Sequence, residues 1–221
     1  FKKMGYIYLS PEECEFQRKG NYNCLLLDIL EDKLKKINSY EYNGKVNKFS
    51  NYNIKKAISD LDVPIQEGLV VASERVYNML TMGNSYEEDV VDRKVSFDLQ
   101  YIDWKNPSNN VFHVTQEFAV DSHTGENNAR VDIVLFVNGI PFCVIECKSG
   151  LVSIDQGIEQ MLRNQSETYI PQLFKFPQLL IACNKNEVKY GTTRTSKKFY
   201  SVWNYINDEK EAIENKVKSY E

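Results

Sequence analysis

Residues 130–148 read Arg-Val-Asp-Ile-Val-Leu-Phe-Val-Asn-Gly-Ile-Pro-Phe-Cys-Val-Ile-Glu-Cys-Lys. Two apolar runs, Val131 to Val137 and Pro141 to Lys148, flank Asn138-Gly139, a dipeptide that favours a tight hairpin turn. Strands with apolar residues on both faces belong in the interior of a sheet that is covered on both sides. The rest of the chain must therefore supply helices as cover.

The flanking sequence supplies that cover. Leu26, Ile29, Leu30, Leu34 and Ile37 recur at helical spacing, with charges between them. Ile54, Ala57, Ile58 and Leu61 suggest a second helix that stops before Pro64, and Gln66 to Leu80 a third that ends at Met82-Gly83-Asn84. From Val95 the period changes to two, through Phe97, Leu99 and Tyr101. Val111 to Val120 reads as a further strand, followed by a polar loop from Asp121 to Asn128. Beyond the central hairpin, Asp155 to Tyr169 predicts a helix closed by Pro171, Gln178 to Cys183 a buried strand, and Asp208 onward a polar helix. The expected fold class is α/β, a mixed central β-sheet flanked by helices, in one domain. Residues 1–90 form its mostly helical part and 91–205 its sheet and principal helix.

Three charged groups interrupt the apolar hairpin: Asp132, Glu146 and Lys148. Charges are rarely buried without a partner, because desolvation costs more than an isolated site recovers. Glu146 and Lys148 are two apart, so a strand projects both to one face. An internal ion pair is the plainest partner. A divalent cation held by the two carboxylates is another, and Mg²⁺ suits it, since it takes one or two carboxylates and keeps waters that a phosphate can replace. The lysine would then orient or deprotonate an attacking water. A shared cation constrains the register. A simple two-residue turn puts Asp132 opposite Ile145, on the other face from Glu146. A shift of one residue sets Asp132 opposite Glu146, with Cβ atoms roughly 4.5–5.5 Å apart. The expectation is a bulged, three-residue turn with positive φ at Gly139. On the following helix, Gln156, Gln160 and Arg163 share a face and offer hydrogen bonds to phosphate and sugar oxygens. Lys185, Lys189, Arg194, Lys197 and Lys198 form a looser basic group.

Composition narrows the class. A net charge of −4 is not the signature of a generic nucleic-acid binder, although it leaves room for a local site built on carboxylates. Five cysteines without a CxxC pair argue against a disulfide framework or a zinc site and predict a reducing, cytoplasmic setting. Two histidines are too few for a histidine-rich metal centre. No apolar run is long enough to span a membrane. The first residue is Phe1 and the last stretch is charged, so the sequence reads as a piece of something longer.

The sequence resembles the amino-terminal nuclease domain of the restriction (R) subunit of type I restriction-modification enzymes, within the PD-(D/E)xK nuclease superfamily. The resemblance runs from Gly5-Tyr6 through Asp103-Trp104-Lys105-Asn106-Pro107 to Ile170-Pro171-Gln172-Leu173-Phe174 and Leu179-Leu180-Ile181-Ala182, and is most specific from Asp132 to Lys148. It implies a restriction-endonuclease-like core, with Asp132 and Glu146 as metal ligands, the Cys147 backbone carbonyl as a further ligand, and Lys148 as the catalytic lysine. Gln160 and Arg163 match the region of a Gln-x-x-x-Tyr element, which would position DNA. The tyrosine of that element falls at Asn164, and a second Gln-x-x-x-Tyr occurs five residues later, at Gln165 and Tyr169. By resemblance the partners are double-stranded DNA and the methyltransferase and specificity subunits, and an ATP-dependent translocase lies downstream. No GxxxxGK[ST] loop occurs in these 221 residues, so ATP hydrolysis is not expected of them.

The expected function is Mg²⁺-dependent hydrolysis of DNA phosphodiesters with little sequence choice. Two rivals are a stand-alone repair or junction nuclease of the same superfamily and a catalytically silent scaffold that docks the motor or methyltransferase.

Overall fold

In a computed structural model that describes residues 1–91 and 93–203, the chain builds a seven-stranded mixed sheet with helices packed against it. The elements run β1 (Ile7–Tyr8), α1 (Pro11–Arg18), α2 (Leu27–Ile37), β2 (Tyr40–Tyr42), β3 (Lys45–Asn47), α3 (Asn51–Leu61), α4 (Leu69–Met82), β4 (Asn84–Val90) and β5 (Arg93–Leu99). They continue with β6 (Phe112–Val120), β7 (Ala129–Val137), β8 (Ile140–Cys147), α5 (Ile154–Asn164), α6 (Pro171–Phe174), β9 (Leu179–Cys183), β10 (Val188–Gly191) and β11 (Ser201–Val202). The strand order is β1-β6-β7-β8-β9-β10-β11, which puts β8 in the middle. β8 and β9 are parallel, with α5 in the crossover between them, and β6, β7 and β8 are antiparallel neighbours. The polar helix expected from Asp208 lies outside the described residues.

The apolar stripes pack as their spacing predicts. Leu26, Leu30 and Leu34 of the α2 region, Ile54, Ala57 and Leu61 of α3, and Val76 and Leu80 of α4 join Val134, Phe136, Ile140 and Val144 of the hairpin in one core. Fully burying one such side chain stabilises the fold by about 1.5–3 kcal/mol. Serines start three of the helices, α5 among them. Ser10 forms a capping box with Glu13 on α1, and the Ser50 hydroxyl accepts from Asn53 N on α3.

Three expectations need correction. Residues 1–90 do contain the four large amino-terminal helices, but they also supply β1 to the main sheet and β4. The strand expected at Val95 does not join that sheet. As β5 it pairs with β4 in a separate ribbon, from Asn84↔Leu99 to Val90↔Arg93. β4 was hidden because its buried face carries Glu88, whose carboxylate accepts from Ser50 N at 2.8 Å and Asn53 Nδ2 at 2.9 Å at the start of α3. Finally, the helix expected to run to Tyr169 ends at Asn164. The Gln165 amide turns back onto the Met161 carbonyl at 3.1 Å, and Pro171, placed where a missing N–H costs nothing, opens α6 instead of closing α5.

The turn also differs from expectation, and the difference sets the site. Asn138 (φ 54°) and Gly139 (φ 85°) both adopt left-handed conformations, so the turn is a tight two-residue one. Val137 pairs with Ile140 and Phe136 with Pro141. The register then slips at Phe142, after which Leu135 pairs with Cys143, Val134 with Val144 and Ile133 with Ile145. The one-residue shift is real, but it comes from a bulge within β8 and not from the turn. Pro141, which has no N–H to give the ladder, is suited to such a place. Gly139 is required twice over, because a Cβ there would stand 2.7 Å from Leu26 O, where α2 begins.

Candidate active site

Continued by one residue, the post-bulge register puts Asp132 opposite Glu146. Glu146 is fully buried, with Asp132 facing it across the strand pair. Burial, and then the neighbouring Asp132 charge, push the Glu146 pKa up to about 8. Lys148, just beyond β8, brings Nζ to 3.5 Å from Glu146 Oε2. The same Nζ donates to Gln160 Oε1 at 2.8 Å, and Gln160 Nε2 donates to Glu146 Oε1 at 2.9 Å. Asp132, Glu146, Lys148 and Gln160 thus form one connected cluster.

Local sequence explains each placement. α5 starts on Ser153, whose hydroxyl accepts from Asp155 N, and crosses the sheet with Gly157 nearest it. A Cβ at Gly157 would sit 3.5–3.6 Å from Ala182 Cβ, Lys148 Cγ and Glu146 Cβ, so the helix lies directly over the cluster. One turn on, Gln160 falls above Glu146. Asp132 is fixed by a backbone donor, the Cys147 N–H, at 2.7 Å from its Oδ2. On its other side the β6–β7 ladder pairs Gln116 with Ile133 and Phe118 with Val131 but skips Asp132 and Glu117. Glu117 has a φ of 54°, unusual for a non-glycine residue in a strand, and forms an ion pair with Arg130 at 2.6 Å.

The Gln160 amide, read from the sequence as a DNA-positioning group, is engaged with Glu146 and Lys148 inside the cluster. Arg163 is exposed on the same helix, with its guanidinium 5.2 Å from the Tyr169 ring centre. Gln165 and Tyr169 do not share a helix face, since α5 has ended, and Gln165 is buried with its Oε1 accepting from Arg194 N at 2.7 Å. Asn164 is fully buried, and neither polar atom of its side chain finds a partner. Two members of the basic group, Lys189 and Lys197, are tied to acids of α5: both reach Asp155, at 3.0 and 3.7 Å, and Lys197 also pairs with Glu159. The Cys147 N–H on Asp132 and the bridging role of Gln160 were not read from the sequence. A glutamine two turns into the helix after the Glu-x-Lys strand was the available signal for the second, and no sequence signal existed for the first.

The donor set bears on what ion it suits. Among the described residues no group of three or more His, Cys, Asp or Glu side chains is close enough to hold a metal. Two carboxylates without a third ligand side chain match a hard cation that keeps its waters, not zinc. Two facing carboxylates, one of them fully buried, also have reason to attract positive charge.

A mixed sheet flanked by helices, with carboxylates and a lysine gathered at the end of its central strand, makes this the α/β core of a nuclease-like domain. The chain belongs to the family described as the type I restriction enzyme R protein N terminus, whose sequence model matches residues 1–199. It is 27% identical over 223 residues to a Methanocaldococcus jannaschii protein named for the endonuclease subunit of the MjaIXP type I restriction enzyme, covering 96% of this chain and 20% of that one. It is also 27% identical over 122 residues to the SauCOLORF180P type I restriction enzyme endonuclease subunit of Staphylococcus aureus, covering 55% of this chain and 13% of that one. The chain therefore spans about a fifth or less of the relatives it matches. No helix among the described residues is long and apolar enough to cross a membrane.

Proposed function

We propose that this domain is the Mg²⁺-dependent DNA endonuclease module of a type I restriction enzyme R subunit, with a PD-(D/E)xK site and little sequence choice of its own. The observation that carries the reading is Asp132 set opposite a fully buried Glu146 by the β7–β8 register, with Lys148 Nζ 3.5 Å from Glu146 Oε2. A purely structural ion pair would need one carboxylate. Burial already raises the Glu146 pKa, and the second carboxylate adds repulsion that a cation relieves.

Asp132 and Glu146 would hold the ion, with the Cys147 carbonyl as a further oxygen donor. When bound, Mg²⁺ supplies charge stabilisation to a phosphodiester and acidifies a coordinated water. The chain's own residues do the rest. Lys148 Nζ, held between Glu146 and Gln160, donates a proton or orients the attacking water. Gln160 keeps that ammonium and the Glu146 carboxylate in a fixed relation. Arg163, exposed on α5, is suited to a phosphate of the DNA backbone. Target choice and translocation would belong to the methyltransferase and specificity subunits and to an ATP-driven motor elsewhere in the full-length protein. That assembly would work in the cytoplasm, where its DNA lies.

The test is nicking of supercoiled plasmid by the full-length complex with Mg²⁺. Lys148→Ala is expected to lower cleavage by about 10²–10⁴-fold while circular dichroism stays unchanged. Wild-type rates in a folded variant would refute the assignment and favour a silent scaffold. ATP-independent digestion by the R subunit alone would favour a stand-alone nuclease.

A further inference from the structure

Cys147 and Cys183 meet at the ends of adjacent strands. They are register partners across the parallel β8–β9 pair, and their sulfur atoms stand 3.6 Å apart. Both are free thiols; Cys147 is exposed and Cys183 partly so, whereas Cys14, Cys24 and Cys143 are buried. Side chains alternate across a strand, so the two thiols lie on the face opposite Glu146 and Ala182, away from α5. Cys147 is also tied to the cluster through its backbone, since its N–H holds the Asp132 carboxylate at 2.7 Å. The next N–H, that of Lys148, donates to the Cys183 carbonyl at 2.8 Å.

We propose that Cys147 and Cys183 form an oxidation site that a peroxide converts to a disulfide, and that the bridge lowers the activity of the neighbouring site. One of the two sulfurs attacks one peroxide oxygen, the O–O bond breaks, and a sulfenic acid forms with release of one water. The other sulfur then attacks the sulfenic sulfur, the S–O bond breaks, and a second water leaves with the thiol proton. Two thiols lose two electrons and two protons in total, and the peroxide takes them up. The bridge draws the sulfur atoms from 3.6 Å to about 2.05 Å. That movement acts on the peptide that positions Asp132 and leads into Lys148. A displacement near 1 Å at such a place is expected to cost about a hundredfold in rate. The inhibitory part rests on the nuclease reading above; formation of the bridge does not.

The full-length subunit is treated with hydrogen peroxide, its free thiols are alkylated, and peptides are mapped without reduction. A linked pair of peptides carrying Cys147 and Cys183, absent in Cys183→Ser, is the expected result. Free thiols at both positions after treatment, or Cys147 linked elsewhere, would overturn the proposal. The assembled complex is then assayed on plasmid before oxidation, after it, and after addition of dithiothreitol. Cleavage should fall by about a hundredfold and return on reduction, while Cys183→Ser should cleave normally and resist peroxide. Full activity in the bridged protein would overturn the inhibitory role. Absence of cleavage in the reduced wild type would count against the nuclease reading and leave the mapped bridge standing.

Discussion

Arg18 and Glu146 are both buried charges, and their surroundings are built on opposite principles. Arg18, at the end of α1, is 1% exposed. Its guanidinium donates to the Cys14, Asn23 and Ala119 carbonyls at 3.0–3.3 Å and to Asn21 Oδ1 at 2.6 Å, and it stacks 4.0 Å from the Phe118 ring centre. Every partner is neutral and fixed, and together they tie α1 to the edge of β6. Glu146 is equally buried, but its neighbours are a second carboxylate, an ammonium and an amide. The arginine is satisfied by the fold as it stands. The glutamate is satisfied only by a proton or by further positive charge. Burial of charge therefore does not by itself mark a reactive site; an unresolved like-charge contact does.

Variants at the two places separate these principles. Asp132→Ala and Glu146→Ala are expected to abolish cleavage and to weaken Mg²⁺ binding measured by calorimetry, since each removes a ligand. Unchanged affinity in both would remove the cation from this site. Arg18→Ala is expected to show the reverse pattern. It should cost roughly 3 kcal/mol of stability in denaturant unfolding, because several carbonyls lose their donor, while the folded fraction still cleaves. Loss of cleavage without loss of stability would mean that the arginine is more than a brace.

The pH dependence sharpens the contrast. The folded-state pKa of Glu146, about 8, is raised above its ordinary value of 4.5. The folded protein therefore binds this proton more tightly than the unfolded chain does. The stability it contributes is fully present below about 4.5 and is lost as pH rises towards 8. Without divalent cations, hydrogen exchange over β7 and β8 should quicken across that window, and Glu146→Gln should flatten the response. Mg²⁺ should restore protection at the alkaline end. The smallest effect is expected from Arg163→Ala, which should weaken DNA binding modestly, with a shallower salt dependence and unchanged Mg²⁺ affinity. An equal loss of metal affinity would place Arg163 nearer the cluster than its contact with Tyr169 indicates.

Much of this was legible in one dimension because it depends on periodicity. The apolar spacing of α2 and α3, the paired central strands around Asn138-Gly139, and the shared face of Glu146 and Lys148 follow from repeats of 3.6 and 2 residues. The sheet class follows too, since strands apolar on both faces need cover on both sides. Other features depend on contacts between distant segments. The one-residue shift falls at Phe142 and not in the turn, where Leu26 of the α2 region lies close against Gly139. Glu88 reads as a surface acid until α3 meets it, and Gln160 as a DNA-positioning amide until α5 descends over Glu146. Cys147 and Cys183 are 36 positions apart, and only the register of two parallel strands makes them neighbours. A sequence states which face a side chain takes from its own backbone. What it meets there is decided when separate elements pack, because those contacts carry no local periodic trace.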